Sequence, residues 1–129
     1  MMITTKGRNA LKIMIDLAQH EGGGYVSLAD VAERQKESLK YLEASVSQLS
    51  AAGFVVSARG KSGGYKLARP AQEYSVAEIL QAGEGSLAPV SCLISGCENA
   101  GTCQTLPLFK ELDEVIKNFL TSKTLKDLI

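Results

Sequence analysis

The stretch from Phe54 to Leu67 places the strongest constraint on the fold. Phe54-Val55-Val56 and Tyr65-Lys66-Leu67 are short β-prone runs. Between them lies Arg59-Gly60-Lys61-Ser62-Gly63-Gly64, a turn rich in glycine and positive charge. Two such runs joined by a turn of this kind read as a β-hairpin. An isolated two-stranded hairpin is at best marginally stable in water. It has to lie against other elements, and the chain before it offers mainly helices.

Thr4 or Thr5 is placed to cap a first helix reaching about His20. Leu11, Met14, Ile15 and Ala18 recur at helical spacing, and Ala10, Ile13 and Leu17 widen the stripe, so the helix is expected to be well buried. Gly22-Gly23-Gly24 ends it, and Tyr25-Val26 is long enough only for a very short strand. Ser27-Leu28-Ala29-Asp30 resembles a capping box opening a short second helix to about Gln35. Ser38 is placed to cap a third, with Leu39, Leu42, Val46 and Leu49 on one side and Gly53 at a left-handed C-terminal position. Two helices joined by a tight turn and followed by a hairpin spell a winged helix-turn-helix. The fold class expected is therefore mainly α, with a small β-hairpin wing.

Pro70 marks a break, and Ser75 opens a short helix carrying Val76, Ile79 and Leu80, ending at Gly83 and Gly85. Pro107 suits the first turn of a longer helix reaching about Leu120. On that helix Phe109, Leu112, Val115, Ile116 and Phe119 form one wide apolar stripe. The apolar positions of the preceding helices and hairpin already account for a core. A stripe left facing solvent would be a liability, so packing against a two-fold mate is expected, giving a homodimer through a long C-terminal dimerisation helix. Thr124-Leu125-Lys126-Asp127 repeats the capping-box pattern for a last helical turn. The division expected is 1–82 for DNA binding, 83–105 for a cysteine-containing sensor loop and 106–129 for dimerisation, within one compact domain.

Net charge is zero but unevenly distributed. Residues 1–70 hold ten Lys/Arg against six Asp/Glu, a net +4, and residues 71–129 hold four against eight, a net −4. A basic front and an acidic back suit a protein with one polyanion-binding face. In a helix-turn-helix the second helix shows its N-terminal residues to base edges in the major groove. Here Lys36 and Lys40 suit phosphates, and Ser38, Tyr41 and Glu43 offer hydrogen bonds, a carboxylate being able to accept from cytosine N4. Arg59, Lys61 and Ser62 occupy the hairpin tip, where an arginine can enter a narrow minor groove. Solvated charges on a winged helix used for protein contact are the alternative. Gly60-Lys61-Ser62 resembles the end of a phosphate-binding loop, but that motif requires glycine at position 55, which is Val55. No acid–base pair, no nucleophile with a partner histidine and no nucleotide loop is legible, so an enzyme is not expected.

All three cysteines, Cys92, Cys97 and Cys103, fall within twelve residues, among Ser91, Ser95, Gly96, Asn99, Gly101 and Thr102, a loop composition. The N-terminus lacks the features of a secretory signal, and no apolar run approaches the roughly 20 residues of a membrane span. The reading is cytoplasmic, with no membrane partner. In that compartment clustered thiols serve metals or redox chemistry more often than disulfides. Thiolates are soft ligands suited to iron–sulfur clusters or zinc. Structural zinc favours C-x2-C pairs and four ligands, and neither is present. From the residues alone, cluster, redox thiols and zinc all stay open.

The segments TKGRNALK, SLADVAERQKESLKYLE, RGKSGGYKLARP and TLKDLI make the chain similar, over essentially its whole length, to the Rrf family of bacterial winged-helix transcription regulators. The wing pattern R-G-x-x-G-G-Y-x-L-x-R-P, here Arg59 through Pro70, is the most specific of these. The resemblance implies a homodimer on double-stranded DNA with a partly palindromic operator, Arg59 in the minor groove, and Tyr41 and Glu43 in the major groove. Asn9 stands where the family usually has an aromatic, and Ala44-Ser45 replace a bulkier pair, so the operator sequence does not carry over. The resemblance is closest to the cysteine-containing branch. It implies that Cys92, Cys97 and Cys103 ligate an iron–sulfur cluster, two-iron two-sulfur being favoured and four-iron four-sulfur possible. The cluster would sense iron–sulfur, redox or nitric-oxide status. A fourth ligand is not evident: Leu106 and Arg8 occupy positions where branches of the family carry histidine or aspartate. Glu98, Asn99, a group from the partner subunit or a small exogenous ligand remain, and His20 reads as a surface residue. The alternative is a clusterless regulator of cysteine metabolism, controlled by thiol oxidation or by an enzyme partner.

Overall fold

The computed structural model describes residues 3–129. Its helices are α1 (Thr5–Gln19), α2 (Leu28–Gln35), α3 (Leu39–Ala51), α4 (Val76–Glu84), α5 (Cys92–Ser95) and α6 (Leu106–Ser122). The strands β1 (Val55–Ala58) and β2 (Gly64–Leu67) lie between α3 and α4. Three single 3-10 turns complete the chain, at Glu21–Gly23, Ala71–Glu73 and Leu125–Leu128. The architecture is a winged helix-turn-helix followed by a long terminal helix.

Local chemistry sets most helix boundaries. The Thr4 hydroxyl accepts from the Lys6 N–H at the start of α1, and the Ser27 hydroxyl accepts from the Asp30 N–H at the start of α2. Ser75 with Glu78 and Thr124 with Asp127 each form complete capping boxes. Ser38 stands at the N-cap of α3, but its side chain makes no capping hydrogen bond. Lys36, between α2 and α3, takes a left-handed conformation (φ 55°) that turns the chain. Gly53 (φ 76°) ends α3 as the sequence predicts.

The main core is built from α1 to α4, the hairpin and the C-terminal turn. Ile13, Met14 and Leu17 of α1 meet Val31 of α2, Leu42, Val46 and Leu49 of α3, Ile79 of α4 and the C-terminal Leu125. The face of α1 that points inward is centred on Ala10, Ile13, Met14 and Leu17, whereas Leu11 and Ile15 are only half-buried. Buried Tyr74 ties the wing base to the body: its hydroxyl donates to the Phe54 carbonyl (2.7 Å) and accepts from the Arg69 N–H (2.9 Å). The C-terminus folds back on the same segment, with Val76 N–H donating to the Lys123 carbonyl and Leu125 N–H to that of Tyr74.

The hairpin pairs Val55 with Leu67 and Ala58 with Gly64, antiparallel. Val26 joins it through two 2.8 Å backbone hydrogen bonds with Tyr65, so the short Tyr25-Val26 run meets the hairpin as a single bridge rather than as a strand. Gly64 makes this possible. Its φ is +146°, and a Cβ there would lie 2.2 Å from the Val26 carbonyl oxygen, an approach only glycine permits.

A second close approach joins α1 to α4. A Cβ on Gly83 would lie 3.0 Å from the Gly7 Cα and 3.1 Å from the Lys6 carbonyl oxygen. Gly83 therefore lies within α4 rather than ending it, and the helix stops at Gly85 (φ 86°). Among the described residues no helix is long and apolar enough to cross a membrane.

Candidate nucleic-acid interface and cysteine loop

The inward side of α3 is fixed by Leu42, Ser45, Val46 and Leu49. Helical geometry then sends Lys40, Tyr41 and Glu43 outward, and all three are exposed, Tyr41 at 63%. Lys36 and Ser38 lie exposed in the turn just before this helix. At the wing, Gly60 (φ 99°) and a Gly63 N–H to Gly60 carbonyl bond (3.0 Å) make the tight tip that holds Arg59, Lys61 and Ser62 in solvent. Behind the tip, the Lys66 ammonium sits 4.7 Å from the Tyr25 ring centre.

Pairing separates structural from free charges. The Arg34 guanidinium grips Asp16, the Arg69 guanidinium grips Glu78, and the Lys12 ammonium meets Glu37. Among the described residues Lys36, Lys40, Arg59 and Lys61 have no carboxylate partner. These cations, on α3, the turn before it and the wing, have the charge that phosphate contacts require.

Asp16 shows what the paired charges do. Its side chain is buried, and burial alone would raise its pKa. Hydrogen bonds from Arg34 and Gln35 and the Arg34 charge outweigh this and hold the carboxyl below its ordinary range. The contact, bidentate from Arg34 Nε and an η nitrogen, locks α2 onto α1. His20 contacts Asp16 too, its Nδ1 lying 2.8 Å from the backbone oxygen. It belongs to this network and lies on the first-helix side of the fold, away in sequence from the cysteines.

The cysteines occupy the segment between α4 and α6. Cys92 opens α5, a single helical turn where the composition predicts only loop. The turn is closed by the Ser95 N–H donating to the Ser91 carbonyl and the Gly96 N–H to that of Cys92, and Gly96 (φ 82°) stops it. Cys97 is exposed, Cys92 and Cys103 are half-buried, and none is in a disulfide. Among the described residues, no three His, Cys, Asp or Glu side chains gather closely enough to share one ion. The three sulfurs are thus neighbours along the chain and are not drawn together in this conformation. Glu98 and Asn99 are exposed in the same loop. The Cys103 thiol is held below its ordinary pKa by the Thr105 hydroxyl, 3.2 Å from its Sγ, and by the N–H groups of Thr105 and Leu106 at the start of α6.

The apolar residues of α6 divide into two faces. Phe109 and Ile116 are half-buried on the same side as Leu120, which packs on the cluster of Val76, Leu80 and Leu87. Leu112, Val115 and Phe119 are exposed, and Leu108, absent from the predicted stripe, joins them at 61% exposure. Positions 108, 112, 115 and 119 recur at steps of four, three and four. That heptad-like spacing was legible and would have found Leu108. Ile94 of α5 is also exposed, at 62%.

A winged helix-turn-helix with unpaired cations on its second helix and wing has the architecture of a DNA-binding transcription regulator, and the sequence comparisons give that class. The sequence profile described as "Rrf2: Iron-dependent Transcriptional regulator" matches residues 3–129, and the chain belongs to the Rrf2 family. It is 42% identical over 130 residues to the HTH-type transcriptional regulator IscR of Photorhabdus laumondii, covering 100% of this chain and 79% of that protein. Among solved structures, CymR, the global cysteine regulator of B. subtilis, superposes with a TM-score of 0.80 at 38% identity, covering 99% of this chain and 95% of that one. The IscR structure of T. potens does so at the same score and identity, over 99% and 85%.

Proposed function

We propose that this regulator senses iron–sulfur, redox or nitric-oxide status through an iron–sulfur cluster held by Cys92, Cys97 and Cys103. The observation that carries the reading is the placement of three unpaired thiols in one solvent-reached loop between the reading head and the long helix. The donor type fits: thiolates are the ligands iron–sulfur clusters use, the three cysteines would supply three of the four positions, and Glu98, Asn99, a group from the partner subunit or a small exogenous ligand would supply the fourth. A cluster would supply redox and ligand-dependent lability at this loop. The IscR relatives favour this reading.

The protein's own residues provide the route from loop to DNA. The loop begins just after Glu84, which caps α1, and ends at buried Leu106, where α6 starts. Drawing the cysteines together would reorganise 86–105 and bias the ends of both helices, a two-state element biased by a ligand. Lys36, Ser38, Lys40, Tyr41 and Glu43 read the major groove and its phosphates; Arg59, Lys61 and Ser62 engage the minor groove and its backbone. Two copies, joined through Leu112, Val115 and Phe119 with Phe109 and Ile116 beneath, present two such heads to a partly palindromic operator. In this reading 1–82 binds DNA, 83–105 senses and 106–129 dimerises. Anaerobic iron and sulfide analysis, with operator binding compared between the intact protein and Cys92→Ala, tests it.

A second reading has its own support. The Cys103 thiol, eased toward thiolate without any metal, would respond to oxidants directly, and the solved relatives include an oxidised form of Staphylococcus aureus CymR. In that case oxidant alone, with iron absent, changes operator affinity.

A further inference from the structure

Helices α1 and α3 do not close against each other along their outer edge. Between them lies a cavity of about 450 Å3, walled by Asn9 and the turn before it on α1, and by Tyr41, Ala44, Ser45 and Gln48 on α3. Its size is within the roughly 300–1,000 Å3 of small-molecule sites, and its walls are mostly apolar, as such sites are. Asn9 and Ser45, each 2% exposed, form the buried side, whereas Ala44 and Gln48 are exposed at the mouth.

Asn9 supplies the second observation. Its Oδ1 is buried and has no hydrogen-bond donor. A buried acceptor without a donor is costly, and native structures rarely leave one. The amide lies on the cavity wall, so rotation about its last torsion turns this oxygen to whatever occupies the space. No carboxylate lines the cavity and Lys6 is its only charged residue, so a cationic occupant is disfavoured.

We propose that this cavity binds a small, uncharged aromatic or heteroaromatic molecule carrying a single N–H or O–H donor. The ring fills the apolar space between the helices and the donor satisfies Asn9 Oδ1. Such a molecule lies against Tyr41. Its consequence for DNA reading rests on the function proposed above, whereas binding itself does not.

The chain contains no tryptophan, so indole excited beyond the tyrosine absorption serves as a fluorescent probe. Titration of indole with the intact protein, free of DNA, should give a saturable, blue-shifted emission with one site per chain. The donorless analogue 1-methylindole should bind roughly tenfold more weakly, the loss of one buried hydrogen bond. Ala44→Leu, which fills the cavity from an exposed helix position, should abolish binding with the circular dichroism spectrum unchanged. Gln48→Phe, which closes the mouth, gives the same test independently. Glu21→Gln, an exposed position in the turn after α1, should leave the titration unaltered. Non-saturable emission, equal affinity for the two indoles, or binding that survives both Ala44→Leu and Gln48→Phe would overturn the assignment.

Discussion

Glu84, the last residue of α4, caps the first turn of α1 at Gly7: its carboxylate accepts the Gly7 N–H at 3.2 Å, and Thr4 donates to it through both backbone N–H (3.0 Å) and hydroxyl. Burial alone would raise this carboxyl, but the Thr4 and Gly7 donors outweigh it and hold the group ionised below its ordinary range. The negative charge also meets the positive end of the α1 dipole. The residues after Glu84 run into the cysteine loop, so the proposed coupling would pass through this contact. Glu84→Ala should destabilise the fold by about 1–2 kcal/mol, the usual cost of a lost cap, in urea unfolding at neutral pH. An unchanged midpoint would remove Glu84 from the coupling route.

The Asp16–Arg34 contact sets an acid limit on stability. A carboxyl whose folded pKa is depressed contributes stability that is present above its unfolded value, near 3.8, and is lost as pH falls through the lower folded value. Asp16→Asn should therefore be less stable than the parent by about 2 kcal/mol at pH 7. The gap should narrow below roughly pH 4 as the parent's own carboxyl protonates. Urea midpoints measured at pH 7 and pH 3 check both the size and the direction.

The unpaired cations of the wing make a thermodynamic signature. If Arg59 and Lys61 each neutralise a phosphate, replacing either with alanine should weaken DNA binding and lower the slope of log K against log salt by about 1. Tyr41→Ala, by contrast, should reduce discrimination between operator and random DNA while leaving the slope nearly intact. Fluorescence anisotropy over a salt series distinguishes the two effects.

Val115 lies on the exposed side of α6, so a charge there has little to disturb in a single chain. Val115→Asp should change monomer stability by only about 0.5 kcal/mol. It should, however, shift the mass measured by light scattering to the 13.7 kDa of one chain. A parent protein already at that mass would contradict the dimer.

The helix starts were legible because their caps are local: Thr4, Ser27, Ser75 and Thr124 each bond within two or three residues along the chain. The wing was legible because its glycines and β-prone residues punctuate a short stretch. The Glu84 cap was not, because donor and acceptor stand 77 to 80 positions apart. Nor could the pattern on α6 say which apolar positions are covered. Phe109, Ile116 and Leu120 differ from Leu108, Leu112, Val115 and Phe119 only by what lies next to them. The cysteine spacing carried the chemistry of three soft donors but not their arrangement, since a loop with Gly96 and Gly101 has many ways to place three sulfurs. Asn9 read as a departure from a family pattern, and only the packed structure makes it a buried acceptor beside a cavity.

Cys92, Cys97 and Cys103 are proposed to hold a cluster on which operator binding depends. The most direct measurement is anaerobic purification followed by visible absorbance, iron and sulfide analysis, and operator binding on the same sample. The expected result is a brown protein with iron and sulfide in equal amounts, losing colour and changing operator affinity in Cys92→Ala. A colourless protein after careful reconstitution, with operator binding identical in parent and Cys92→Ala, would contradict it.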